Sequence, residues 1–337
     1  MAVIGNTVAT LVEWAKRTDP DGKIPRIVEM LSQTNEILKD MLFMEGNLPT
    51  GHRITMRTGL PSVAWRLLNQ GVQPSKSTTA QVDEQAGMLE AWSEVDKDLA
   101  MLNGNTSAFR LSEAQSFIES MNQMMAQTLF YGNSAIAPET FTGFAPRYST
   151  VNKTVAPNAK NVLDGGGTGS TNLSIWLVVW GAQTVAGIFP KGSQAGILHE
   201  DLGEETAETV AGLGGARMRV YRDRWQWKAG LALKDWRYVV RIANIDVPNL
   251  VANTGSQAMI TQLMIKALHR VQNLRLGTPV FYMGRTAMEF LDIQRRNDVL
   301  TGGQLSYRDV DGMMEYAFRG VPVRLVDQLL ETEARVV

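Results

Sequence analysis

The chain has 337 residues, 44% hydrophobic and 20% charged, with 30 Gly and 12 Pro: enough for one large core or two adjoining ones, and too apolar for a disordered chain. Lys+Arg 33 against Asp+Glu 34 leaves a net charge of -1, which argues against a general polyanion binder. The absence of cysteine removes disulfides, thiolate nucleophiles and cysteine-based zinc or iron–sulfur sites.

The first ten residues lack a basic segment followed by an apolar run, so no secretory signal is expected. Val8, Leu11, Val12 and Ala15 follow Thr7 at helical spacing. After a turn at Asp19-Pro20-Asp21-Gly22, Pro25 opens a second helix with the stripe Ile27, Met30, Leu31, Ile37, Leu38, Met41 and Leu42. Gly46, Pro49 and Gly51 end it. Arg53-Ile54-Thr55-Met56-Arg57 then alternates like a strand, and Val63, Trp65 and Leu67 repeat at a spacing of two. Residues 70–81 are polar, with Lys76 as the one charge, before the chain heads back through Leu89, Ala91 and Trp92. This reads as a long hairpin with a soft tip. Such a hairpin is marginal alone, and one carrying Trp65 and Trp92 calls for another surface.

Residues 112–132 predict a helix with Leu111, Ala114, Phe117, Ile118, Met121, Met124, Met125 and Leu129 on one face. Ser112 with Gln115 suggests a capping box, and Gly132 a left-handed C-terminal cap. Residues 133–171 read as loop, a candidate linker between two halves. Residues 165–190 carry no charge, but the dense part, Leu173 to Trp180, is too short for a membrane helix and is read as a buried strand. Residues 217–242 predict a long β-ribbon with Trp225, Trp227, Ala229, Leu231 and Leu233 at period two. Residues 255–274 predict a helix, Thr286 with Glu289 a further capping box, and Val321, Val323 and Leu325 a strand that Pro322 consigns to an edge or a bulge. With no internal repeat, the class is α+β.

Sites for chemistry are weak. Gly165-Gly166-Gly167-Thr168-Gly169 lacks the lysine and the helix of a phosphate loop, and Gly212-Leu213-Gly214-Gly215 lacks the third glycine of a dinucleotide fingerprint. His52, His199 and His269 stand apart, and His199-Glu200-Asp201 is at most half a metal site. Ser193 lacks a nucleophile elbow, and the paired carboxylates Asp83-Glu84 and Glu204-Glu205 lie in polar stretches. No catalytic residue, cofactor or metal is expected. Arg217, Arg219, Arg222 and Arg224, interleaved with Tyr221 and Trp225, fit either ion pairing within or between subunits or single-stranded nucleic-acid binding. The acidic residues Glu200, Asp201, Glu204, Glu205 and Glu208 just upstream favour pairing.

The order of a helical arm, a hairpin with a Ser/Thr-rich tip, and a long helix closing in Leu129-Phe130-Tyr131-Gly132-Asn133 suggests a family. Ala137-Pro138-Glu139-Thr140-Phe141-Thr142-Gly143-Phe144 and Arg147 follow, and Leu60-Pro61-Ser62-Val63-Ala64-Trp65-Arg66 lies in the hairpin. Over essentially its full length the chain resembles the major capsid proteins of tailed bacteriophages with the Hong Kong 97-type fold, most closely those of short-tailed phages. The resemblance implies an N-terminal arm (1–50), an extended loop or E-loop (51–95), a peripheral (P) domain (96–163) with spine helix 112–132, an axial (A) domain (164–253), and a return to the P domain with part of the A domain (254–337). It implies hexamers and pentamers of an icosahedral shell around double-stranded DNA that is gripped only weakly. No membrane is involved, and assembly is in the bacterial host cytoplasm. Arg53, Arg57, Trp65 and Arg66 are then expected to contact the adjacent subunit, Phe117, Ile118, Met121 and Met125 to anchor the spine helix, and the arginines from 217 to 224 to form ion pairs. Because the chain starts almost at the arm, a separate scaffolding protein is expected, with a portal and a decoration protein as further partners. Some members weld subunits through a Lys–Asn bond. Lys76 could supply the lysine, but no Asn follows Asn297, so no crosslink is expected. A portal or tail-tube subunit, or a nucleic-acid module using residues 217–227, are the alternatives.

Overall fold

The computed structural model describes residues 33–102, 106–208, 217–252, 258–297, 305–310 and 313–337. The expected helix around Val8, most of the second one and the Gly212 loop lie outside these residues. In chain order the strands are β1 (Phe43–Glu45), β2 (Gly51–Gly59), β3 (Thr78–Asp96), β4 (Val162–Asp164), β5 (Asn172–Trp180), β6 (Val185–Phe189) and β7 (Ile197–Glu208). They continue with β8 (Arg217–Leu233), β9 (Val239–Asp246), β10 (Thr278–Met283), β11 (Leu305–Val310), β12 (Met313–Phe318) and β13 (Val321–Leu325). All are linked in one hydrogen-bonded network.

The centre of the network is β5, buried at every position, with β9 and β10 antiparallel on either side of it. This is the stretch whose β-branched and Trp content argued for a strand, and among the described residues no helix is long and apolar enough to cross a membrane. Because side chains alternate along a strand, β5 feeds two cores. Trp176, Val178 and Trp180 face the long helix (Thr106–Tyr131), joining its Met121, Met125, Leu129 and Phe130 with Trp225, Trp227 and Leu231 of β8. Ile175, Leu177 and Val179 face the other way, onto the helices Ile260–Arg270 and Arg285–Asn297. Of the chain after residue 254, these helices cover this second face, while Val280, Tyr282, Val326, Leu329 and Val336 belong to the first core.

Several local signals lose to tertiary packing. The long helix starts at Thr106, not Ser112, because Phe109 is buried beneath Val95, Ala100 and Tyr221. Ser112 then lies mid-helix with its hydroxyl unpartnered, so its capping box does not form. Phe117 and Ile118 are only partly buried, and Met124 and Leu111 are exposed. Gly132 does not adopt a left-handed conformation; it is required because a Cβ there would lie 2.5 Å from the Phe141 carbonyl oxygen. The expected linker is part of the core, burying Phe141, Phe144 and Tyr148, with the Phe144 ring 5.7 Å from that of Trp176. Within the described part of the second helix, Ile37–Asp40 is helical, and Phe43–Glu45 pairs with β6. Thr286 falls inside its helix, which begins at Arg285. Finally β13 is interior, between β10 and β12; Pro322 is tolerated at its start, where the β12 ladder is two pairs long.

Candidate assembly interface

β2 and β3 pair in antiparallel register from Gly51↔Gln85 to Gly59↔Thr78. Arg53 clamps the ladder, donating from Nε and Nη2 to Asp83 at 2.6 and 2.7 Å, and this holds the Asp83 carboxyl below its usual range. Of the four hairpin residues expected to reach a neighbour, Arg53 is therefore engaged within its own hairpin. Beyond Gly59 there is no ladder: the spacing of Val63, Trp65 and Leu67 does not make a strand, because no second strand lies alongside. The tip is shaped by Ser75 Oγ donating to the Ser62 carbonyl at 2.7 Å and by a turn in which Gln70 N–H donates to the Leu67 carbonyl, with Asn69 at φ 64°.

Every residue from 60 to 83 is exposed. Trp65 is fully so, and Leu60, Val63, Leu67 and Leu68 stand in water beside it. Arg57 and Arg66 share this exposure, and no carboxylate occurs anywhere in residues 46–82. A continuous apolar patch rimmed by one sign of charge marks an association surface. Covering one exposed Trp removes roughly 150–250 Å² from water, about 4–6 kcal/mol at ~25 cal/mol per Å² before the entropy of association is deducted.

Past Gln85, β3 leaves β2 and pairs with β8, which also carries β7 along its other edge. This ribbon brings the arginines to their acids. Arg219 meets Glu204 at 2.8 Å, a carboxylate shared with Lys97. Arg222 binds Glu94 at 2.6 Å and also Glu205, and Arg224 binds Glu90 at 2.9 Å and Glu200 at 3.4 Å. Arg217 stands opposite Glu208 in the register. Trp92 lies under both central guanidiniums, 5.8 Å from Arg222 and 5.6 Å from Arg224. The hydrogen bonds from Arg224, then Gln226, pull the Glu90 carboxyl down to about 2. Guanidiniums so engaged leave little for phosphates, which removes the basis of the nucleic-acid reading of the ribbon.

On the opposite ribbon face Asp223 accepts from Arg110 of the long helix at 2.9 Å, and His199 Nε2 lies 2.9 Å from the same oxygen with its ring stacked on Trp225 at 4.0 Å. His199 is thus a packing residue, and among the described residues no group of three His, Cys, Asp or Glu could hold a metal. Other ion pairs carry no mark in the sequence. Arg147 meets Glu84 at the hairpin's root at 2.5 Å, and Arg241 meets Glu333 at 2.9 Å with both side chains 5% exposed. Arg110, which also binds Asp201, was missed because the helix was started too late.

The family model described as major capsid protein GP7 matches residues 19–337. The chain belongs to this family of major capsid proteins. A solved structure of bacteriophage Epsilon15 is 33% identical over 100% of this chain and 99% of that one, with a TM-score of 0.81. The capsid of bacteriophage JBD30 is 9% identical, over 89% of this chain and 92% of its own, at 0.49. The capsid of the native GTA particle is 8% identical, over 67% and 95%, at 0.47. No curated protein matches. This capsid protein therefore has the Hong Kong 97-like fold, forms the phage shell and resides in the virion. The portal and tail-tube readings give way to it.

Proposed function

We propose that this capsid protein tiles as hexamers and pentamers of an icosahedral shell around double-stranded DNA, each E-loop tip lying on the adjacent subunit. The observation that carries this reading is the wholly exposed tip, with Trp65 in water and Arg57, Arg66 and Lys76 in a stretch, residues 46–82, that holds no Asp or Glu. Stable contacts bury on the order of 1,200–2,000 Å², and a heterologous contact closes into a ring when its rotation allows. A projecting loop suits that geometry. The peripheral domain is residues 96–163 around the long helix, the axial domain is residues 164–253, and the chain after 254 returns to the peripheral domain with part of the axial one. The protein acts without catalysis. It assembles in the host cytoplasm on a separate scaffolding protein, with a portal and a decoration protein completing the shell.

Replacing residues 61–76 by a short Asn-Gly turn leaves the β2–β3 ladder intact and removes the patch. The expected result is folded subunits that no longer sediment as shells. Shells of normal size from this variant would refute the reading. As a second measure, trypsin should cut after Arg66 in free subunits and not in particles.

A further inference from the structure

The E-loop meets the body at a single joint. Glu84 and Gln85 still face His52 and Gly51 of β2, whereas from Ala86 onward β3 faces β8. The strands pass so closely that a Cβ on Gly51 would lie 1.9 Å from the Glu84 carbonyl oxygen. Two clefts of about 410 and 610 Å³ lie between the hairpin and the body at this joint and share Met56 and Trp236, so the root is not closely packed along its length. The apolar contact there is a small cluster, Ile54 with Ile188 and Ala232, against which Met44 and Met56 pack.

Asn47 exchanges hydrogen bonds with the Arg53 main chain at 2.6 and 2.9 Å on one strand of the root, and a charged fork holds the other. Arg147 Nη1 and Nη2 donate to the two Glu84 carboxylate oxygens at 2.5 and 2.6 Å, with Glu84 7% and Arg147 16% exposed. The guanidinium is itself fixed, donating to the Thr142 and Gly143 carbonyls at 3.0 and 3.1 Å, and the Arg147 carbonyl accepts from Asn158 Nδ2. Two parallel bonds from a planar fork define an angle as well as a distance. Glu84 belongs to the hairpin and Arg147 to the body beneath the long helix.

We propose that Arg147 and Glu84 form a positioning pair that sets the angle at which the E-loop is presented to a second copy of this chain, and through it the curvature of the shell. The inference rests on the E-loop being an inter-subunit contact. Leverage makes the pair consequential. Glu84 to Leu68 is about 16 residues, at most roughly 50 Å at ~3.3 Å per residue, so a 10° swing at the joint moves the tip by up to about 9 Å. Preorganised interfaces accommodate backbone shifts of only about 1 Å.

The chain has no cysteine, so spin labels can be placed on Gln70→Cys and Lys160→Cys, both exposed, and the tip-to-body distance measured by pulsed EPR on free subunits. The otherwise native subunit should give one narrow distribution. Arg147→Lys keeps the charge but loses the fork; it should broaden the distribution by about 5–10 Å and yield particles of mixed diameter. Glu84→Gln, nearly isosteric, should do the same and serves if the first variant does not fold. Unchanged distances overturn the proposal, and so do broadened distances with uniform particle diameter. Should the tip replacement leave assembly intact, the E-loop reading fails by itself, while the EPR distances still judge the pair.

Discussion

Arg241 shows how much one residue can hold in this subunit. Its guanidinium lies 5.1 Å from the Trp176 ring centroid and donates to Ser174, to the Tyr148 carbonyl and to Glu333. Glu333 in turn accepts from the Tyr131 hydroxyl at the end of the long helix, and the Asn172 N–H donates to its carbonyl. One buried pair thus joins β9, β5, the long helix and the closing segment. Removing one partner of such a pair leaves a charge uncompensated in a dry interior, which costs about 3–5 kcal/mol. Glu333→Gln is expected to lower subunit stability by that amount in urea unfolding, and a loss under 1 kcal/mol would contradict this account. Nothing in the sequence marks the pair, because its members are far apart in the chain and each sits among ordinary neighbours. The ribbon arginines were legible for the opposite reason: acids at 200–208 precede arginines at 217–224, and antiparallel pairing of β7 with β8 sets them face to face.

Elements were legible where burial and local pattern agree. β5 and β8 were read correctly because their side-chain types report their final surroundings. The long helix was found but cut short, because its first turns are held by Phe109 under the ribbon and not by a cap. Val63, Trp65 and Leu67 have strand spacing without a strand, since a ladder needs a partner that the single chain does not supply. The ribbon also carries an acid response of its own. Arg224 holds Glu90 at about 2, against an ordinary 4.5, and Glu204 and Asp201 are lowered by Lys97 and Arg110. A carboxylate depressed on folding stabilises above its unfolded pKa and loses that contribution as pH falls through its folded one. Thermal unfolding of the native protein and of Glu90→Gln should therefore differ by a constant amount above pH 5, and the gap should close between about pH 4.5 and 2. A gap that widens on acidification would mean that Glu90 is not held by its arginine.

At the scale of the molecule the two cores and the charge pattern point the same way. A central sheet covered on both faces makes a rigid plate, and among the described residues the hairpin tip gathers Leu60, Val63, Trp65, Leu67 and Leu68 without cover. This uncovered surface is the one on which the proposed contact with another copy rests. The charge balance bears on the cargo. With a net charge of -1 and the ribbon arginines bound to Glu90, Glu94, Glu204 and Glu205, the ribbon offers little to displace counterions from a duplex. Binding of that kind weakens with salt in proportion to the number of phosphates neutralised, with a slope of about -0.9 per contact. Free subunits are expected to leave a DNA duplex unretarded on a gel even at about 50 mM salt, a concentration at which a protein making 6–10 phosphate contacts binds well. Retardation that vanishes between about 50 and 200 mM salt would show a basic surface that the ion pairs fail to neutralise, and the ribbon would be the first place to seek it.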